Sequence, residues 1–380
     1  MQQGQIVSLG GEPGKERMIR AVAESAYRHG ARFVDLSWFD PWVKRARVQY
    51  ALDDTIEFVP SWYGERMLEL GRQRCARIGF SGAVAPGLLD DLDPVRAGRD
   101  RLPGLRESGT VINERTTNWT IAPCPTPEWA GLVWPDLEPD AALSQLWDHV
   151  AHVCRLDADD PAEAWRARAE TLTTAAQRLS ERHFEAVRFL GPGTDLTVGL
   201  LPSGEWQAAH FSTVDGIRHF PNIPSEEVFS SPDPRRTEGV VRSTKPLVLT
   251  DGTIVRDLEI SFSGGRAETI EASSGAETLR TICTRDEGAA RLGEVALVDG
   301  DGRIGALDTV FYDTLLDENA ASHVALGSAF PFLVDESEQA LLNDSDIHVD
   351  FMIGSEAVEV LGVTGGGEQV PVLRAGAWQI

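Results

Sequence analysis

Two of the eight histidines in this 380-residue chain stand beside carboxylates within one stretch, Phe311 to Gly354. Glu318 precedes His323 by five residues, in a segment that can be helical. His348 and Asp350 are two apart in a run whose Val349, Phe351, Met352 and Ile353 favour a strand. Side chains two apart on a strand share a face, so this pair could grip one ion together. Imidazole nitrogen and carboxylate oxygen are the donors of hydrolytic zinc, cobalt or manganese sites. Each residue alone has a plainer reading as a satisfied core or surface group, and it is the pairing of two such clusters that points to metal.

Other acidic residues bear on the same chemistry. Glu226 and Glu227 are adjacent in the apolar, proline-framed run PNIPSEEVF, where neighbouring carboxylates repel unless neutralised. Glu294 heads a predicted buried strand in DEGAARLGEVAL, and an ionised glutamate there needs a cation or a specific partner. Arg291 and Lys245 are the ion-pair alternatives for it. A rival cluster lies at Asp148, His149 and His152, with the histidines i, i+3 on one helical face. No second cluster of matching spacing accompanies it, so an exposed helix face is the expectation there.

The elements that must position these groups follow from hydrophobic periodicity. Predicted strands at 5–9, 32–36 and 76–80 alternate with helices at 15–29, 41–52 and 63–72, the pattern of a parallel sheet covered on both faces. Prolines 86, 94, 103, 123, 125, 127, 135 and 139 then suggest irregular connections, packed by Trp119, Trp129 and Trp134. Two helices are predicted at 141–155 and 161–182. Beyond Glu185 short apolar runs punctuated by Gly, Pro and Asp-Gly indicate β structure, with Asp251-Gly252 as a hairpin signal. A helix at 275–291 and a strand at 294–298 precede the histidine-bearing stretch. The fold class is α/β: an N-terminal α/β domain with a parallel sheet over 1–110, then a larger α+β metal-binding catalytic domain over 111–380. Neither Gly10–Gly14 nor Gly191–Asp195 keeps the register of a dinucleotide-binding turn.

Composition excludes some partners. A formal charge of −24 argues against nucleic acid, which needs clustered Lys and Arg. No apolar run approaches the roughly 20 residues of a membrane span, and the opening residues lack the pattern of a secretion signal. Four scattered cysteines, Cys75, Cys124, Cys154 and Cys283, suit reduced thiols in a cytoplasm.

Taken together, NIPSEEVF, GVVRSTKPL, DEGAARLGEVALV, FYDTLLDENAASH, HVDFMIG and LRAGAWQI resemble, in this order, the aminopeptidase T family of dinuclear metallo-aminopeptidases. The resemblance implies a two-metal site with Glu227, Glu294, Glu318, His323, His348 and Asp350 as ligands of two divalent ions, Zn, Co or Mn. The choice of Glu227 over Glu226 rests on motif alignment alone. The implied activity is hydrolysis of the first peptide bond of short peptides by a two-metal-activated water, with Glu226 as proton shuttle, in a homodimer. One position departs from the family: Phe330 stands where a tyrosine is usual. Its ring is expected to face the metal-bound water from just beyond a helix bearing His323, without a hydroxyl to donate. Two alternatives follow, a catalytically weakened or silent metal-binding homologue, and a mononuclear Fe(II) ring-cleaving dioxygenase built on His323, His348 and Asp350.

Overall fold

The computed structural model describes residues 1–101, 103–249 and 252–380, and the chain forms two compact units. In the first, alternating strands and helices give a four-stranded parallel sheet in the order Phe33–Trp38, Ile6–Gly11, Ala76–Ser81, Asn118–Pro123. The helix Glu16–Arg28 lays Ile19, Val22, Ala23 and Ala26 against Val7, Leu9 and Ala76, the i, i+3, i+4, i+7 stripe of an amphipathic helix.

Between residues 82 and 139 the prolines do something other than interrupt. Pro94 and Pro127 open the helices Pro94–Arg99 and Pro127–Val133, each preceded by a residue, Asp93 or Thr126, whose side chain caps the helix. Pro139 likewise opens Pro139–Val153. A first-turn proline has no N–H to waste and carries a helical φ, so it marks a start rather than a break. The boundary expected near residue 110 falls inside this unit. Asn118–Pro123 pairs in parallel register with Ala76–Ser81, which keeps the chain in the first unit as far as Cys154. His210–Ser225 belongs to it as well.

The second unit holds the long helix Pro161–Arg182, capped by Asp160, and two large antiparallel sheets. One has eight strands: Arg266–Glu271, Glu259–Ser263, Pro232–Arg242, Thr194–Leu200, Ala186–Gly191, Glu359–Val363, Gln369–Arg374 and Ala377–Trp378. The other has five, in the order His348–Met352, His323–Gly327, Leu292–Val298, Glu227–Ser230, Gln207–Ala208. A break at Ser231 passes the chain from the smaller sheet to the larger. The helix predicted at 275–291 is confined to Ala276–Ile282. Of the expected Asp251-Gly252 turn, Asp251 lies outside the described residues, while the flanking Leu247–Val248 and Ile254–Val255 do pair antiparallel. Among the described residues no helix is long and apolar enough to cross a membrane.

Candidate metal centre

Register in the five-stranded sheet decides which side chains meet. Asp350 is paired with Ala325, and Ala325 in turn with Glu294. His348 opposes Gly327, His323 opposes both Met352 and Ala296, and Glu227 opposes Val298. Directly paired residues share a face, and so do residues two apart. Glu227, Glu294, His323, His348 and Asp350 therefore project from one face of four neighbouring strands. The positions among them are small: Ala296, Ala325 and Gly327. Gly327 has φ +107, and a Cβ there would lie 2.1 Å from the Ile347 carbonyl oxygen, so only glycine fits opposite His348. The other face carries Val295, Leu297, Val324, Leu326 and Phe351, and the Leu292–Val298 strand is buried throughout.

Each imidazole is oriented from behind. His323 Nδ1 lies 3.1 Å from the Ala321 carbonyl, and His348 Nδ1 lies 3.0 Å from that of Ser328. An Nδ1–H donated to a carbonyl fixes the tautomer and leaves Nε2 with its lone pair facing the centre. There His323 Nε2 is 3.1 Å from Glu227, while His348 Nε2 is 3.0 Å from Glu294 and 3.4 Å from Asp350. Donor atoms of Glu227, Glu294 and His323 lie within 4.8 Å of one another, as do those of Glu294, His348 and Asp350. Glu294 is common to both groups. The two histidines fall in different groups, so the trio His323, His348 and Asp350 is not gathered as a unit.

The electrostatics show what the face lacks. Burial raises the Glu294 carboxyl above its usual range, against the pull of His348. Glu318 stands well above its usual range because of burial and the charges of Asp350 and Glu227. For His323 burial favours the neutral ring, but the hydrogen bond and charge of Glu227, with Asp350 and Glu294, push the imidazole up to about 10. His348 is likewise raised, burial being outweighed by Asp350 and Glu294. Asp350 is lowered: its burial is overcome by the charge and hydrogen bond of His348. An uncompensated ion in such a place costs several kcal/mol. The three carboxylates and two imidazoles gathered on this face make a donor set that fits divalent metal.

Of the other expected residues, Glu318 ends the helix Thr314–Glu318 rather than lying on a helix with His323, which opens a strand instead. Glu318 remains beside the cluster, within reach of the charges of Asp350, Glu227 and Glu294. Glu226 turns away. Alternation sends its carboxylate to Arg155 and Arg168, at 2.9 and 2.5 Å, which removes the repulsion expected between Glu226 and Glu227. With both oxygens so held, Glu226 is not placed to shuttle a proton. Arg291 and Lys245 serve backbone carbonyls, of Pro234 and Gly264 and of Thr309, instead of Glu294. Phe330 packs its ring 5.5 Å from that of His348 and 5.4 Å from Phe229, beyond a strand and not a helix. Among the described residues His149 and His152 join no donor group. Sequence reasoning missed Asn319, which is fully buried and whose Oδ1 accepts the Glu226 N–H at 2.6 Å. It also missed the small row Ala296, Ala325, Gly327, although alternation in HVALG and GEVAL would have exposed it.

A sheet face of this kind offers the donor set of a divalent-metal centre. The model of the thermophilic metalloprotease family M29 matches residues 1–378, and the chain belongs to that family. It is 40% identical over 371 residues to aminopeptidase T of Thermus aquaticus, covering 95% of this chain and 90% of the relative. The solved structure of wild-type AmpT from Thermus thermophilus superposes with a TM-score of 0.86 at 37% identity, covering 100% of this chain and 95% of that one. A 2,5-dihydroxypyridine dioxygenase from Pseudomonas putida superposes with a TM-score of 0.51 at 12% identity, over 98% of this chain and 91% of that one. That likeness concerns the fold alone.

Proposed function

We propose that the protein is a cytoplasmic metal-dependent aminopeptidase that removes the first residue of short peptides. The observation that carries this reading is the sheet face on which Glu227, Glu294, His323, His348 and Asp350 converge in a chain of the M29 family. With Glu318 these residues would hold two divalent ions, zinc, cobalt or manganese, Glu294 being common to both groups. Such ions supply an acidified water and polarise the scissile carbonyl. The chain's own residues do the rest. Ala321 and Ser328 hold the imidazoles with Nε2 forward, so the donors need no rearrangement. A neutral substrate α-amine, taken where these residues would hold a divalent ion, would confine cleavage to the first residue. Phe330 gives an apolar wall beside His348 and offers no proton. That last feature favours a second reading, a metal-binding homologue with weakened hydrolysis.

Buried cysteines held as thiols and not as disulfides support a reducing compartment. A homodimer is supported by the first unit, whose edge strand Phe33–Trp38 and neighbouring helices expose Phe33, Trp38, Trp42, Tyr50 and Trp62, a surface suited to a second copy. Metal analysis of the purified protein, with hydrolysis of aminoacyl-p-nitroanilides, tests the reading. Two zinc, cobalt or manganese ions and turnover are expected. A single iron would point to dioxygen chemistry, and no metal to a silent fold.

A further inference from the structure

Behind the candidate ligands the chain buries a second charged group that metal binding does not itself require. The Glu226 carboxylate, 0% exposed, accepts from Arg155 Nη2 at 2.9 Å and from Arg168 Nε at 2.5 Å. Arg168 turns its Nη2 to Asp299 Oδ1 at 2.8 Å, and the other Asp299 oxygen accepts the Trp378 indole N–H at 2.7 Å. Trp378 lies on the final strand, Ala377–Trp378, beside which Gly300 N–H donates to the Gly376 carbonyl at 2.7 Å. Arg155 also stacks over the Trp165 ring at 4.9 Å. Two guanidinium groups and two carboxylates thus form a continuous hydrogen-bonded chain from Arg155 to Trp378.

This set touches the metal centre at covalent neighbours. Glu226 precedes Glu227, and Asp299 follows the strand that carries Glu294. Asn319 follows Glu318: its Oδ1 accepts the Glu226 N–H at 2.6 Å, while its amide nitrogen donates to the Leu315 carbonyl at 3.0 Å and lies 3.4 Å from Glu318 Oε1. Buried ion pairs seldom stabilise more than an apolar replacement would, so stability alone does not account for this set. A shift of Glu226 would move Glu227, and through Asn319 it would move Glu318.

We infer that Glu226, Arg168, Asp299 and Trp378 are positioning residues that hold Glu227 and Glu318 in place to receive cations, with the C-terminal strand as the closing member. The inference rests on the metal-centre reading above. It accounts for the LRAGAWQI segment, which carries no His, Cys, Asp or Glu.

The test is calorimetric titration of the chelator-stripped full chain with cobalt(II) alone, paired with thermal unfolding of the stripped protein. Trp378→Phe keeps an aromatic six-membered ring and removes the indole N–H with its five-membered ring. Arg168→Lys keeps the charge but loses the planar fork that spans both acids. Glu226→Gln leaves two buried arginines short of a partner and can fail to fold, so the first two variants decide. Each is expected to bind as many ions as the wild type with affinity lowered about 10- to 100-fold, the range for partners that orient ligands. Unfolding of the stripped protein should move little, and excess cobalt should restore hydrolysis. Unchanged affinity, with or without a lower melting temperature, would overturn the inference and leave the set a purely structural ion pair. A wild-type chain that takes up no divalent cation would instead overturn the metal-centre reading, and the positioning role with it.

Discussion

Two pairs of histidines in this protein meet opposite fates. His149 and His152 sit one turn apart on the helix Pro139–Val153, with Asp148 beside them. Burial lowers the His149 pKa despite Asp148, and its ring stands edge-on to Trp134 at 5.0 Å. His323 and His348 are 25 residues apart in sequence and lie on adjacent strands. Burial acts on them in the same sense, yet both are raised because carboxylates from other strands converge on them. Spacing within one element brings histidines together; donors arriving from several elements make them a candidate metal site. The helix sets His149 against an aromatic ring, whereas the sheet supplies carboxylates and room between them at Ala325 and Gly327.

The largest effect is expected from Glu294, the donor common to both groups. Glu294→Gln should weaken cation binding by more than the roughly 10- to 100-fold lost with outer partners, and chelator titration should then show two separable losses. His348→Ala and Asp350→Ala should each empty mainly the group they belong to. Occupancy that survives both changes would erase the distinction between the sheet and the helix.

Phe330 sharpens the comparison next, since it sits against His348 without a donor. Phe330→Tyr is expected to raise kcat about tenfold to a thousandfold, the range for a single oxyanion donor, with metal content unchanged. Steady-state kinetics on aminoacyl-p-nitroanilides would show it. A tyrosine variant no faster than an already active wild type would mean that another group supplies the proton.

The pH dependence comes third. His323, raised to about 10 in the folded chain without a cation, must lose a proton before Nε2 can bind one. Cobalt affinity should therefore climb by about tenfold per pH unit for each proton released. The metal-free protein should show the converse. The raised pKa contributes stability fully below about pH 6.5, the unfolded value, and that contribution is lost as pH rises through about 10. Cobalt titrations and metal-free melting curves between pH 6 and pH 10 would check both signs, and an affinity flat with pH would break the contrast.

Smallest of all should be the helix pair. His149→Ala and His152→Ala are expected to leave metal content and turnover unchanged, with about 1 kcal/mol of stability lost where His149 leaves Trp134. A fall in metal content would show that the helix histidines had been misjudged.

Local periodicity sufficed for much of this protein. The H-x-D pair was legible because alternation along one strand is a two-residue property, and so were the first three parallel strands and their helices. The proline-rich stretch was misread because a proline's meaning depends on whether a capping residue stands before it, as Asp93 and Thr126 do. The motif order carried the family and the ligand candidates, including Glu294 and Glu318, without saying how they meet. Which of Glu226 and Glu227 faces the cluster, and that His323 opens a strand, depended on strand register across the sheet. Pairing between segments as far apart as Glu227–Ser230 and Leu292–Val298 is set by packing on both faces. Because strand side chains alternate, a slip of one residue would have turned Glu227 to the arginines and Glu226 to His323. The sequence supplied the donors, and tertiary register chose the face on which they converge.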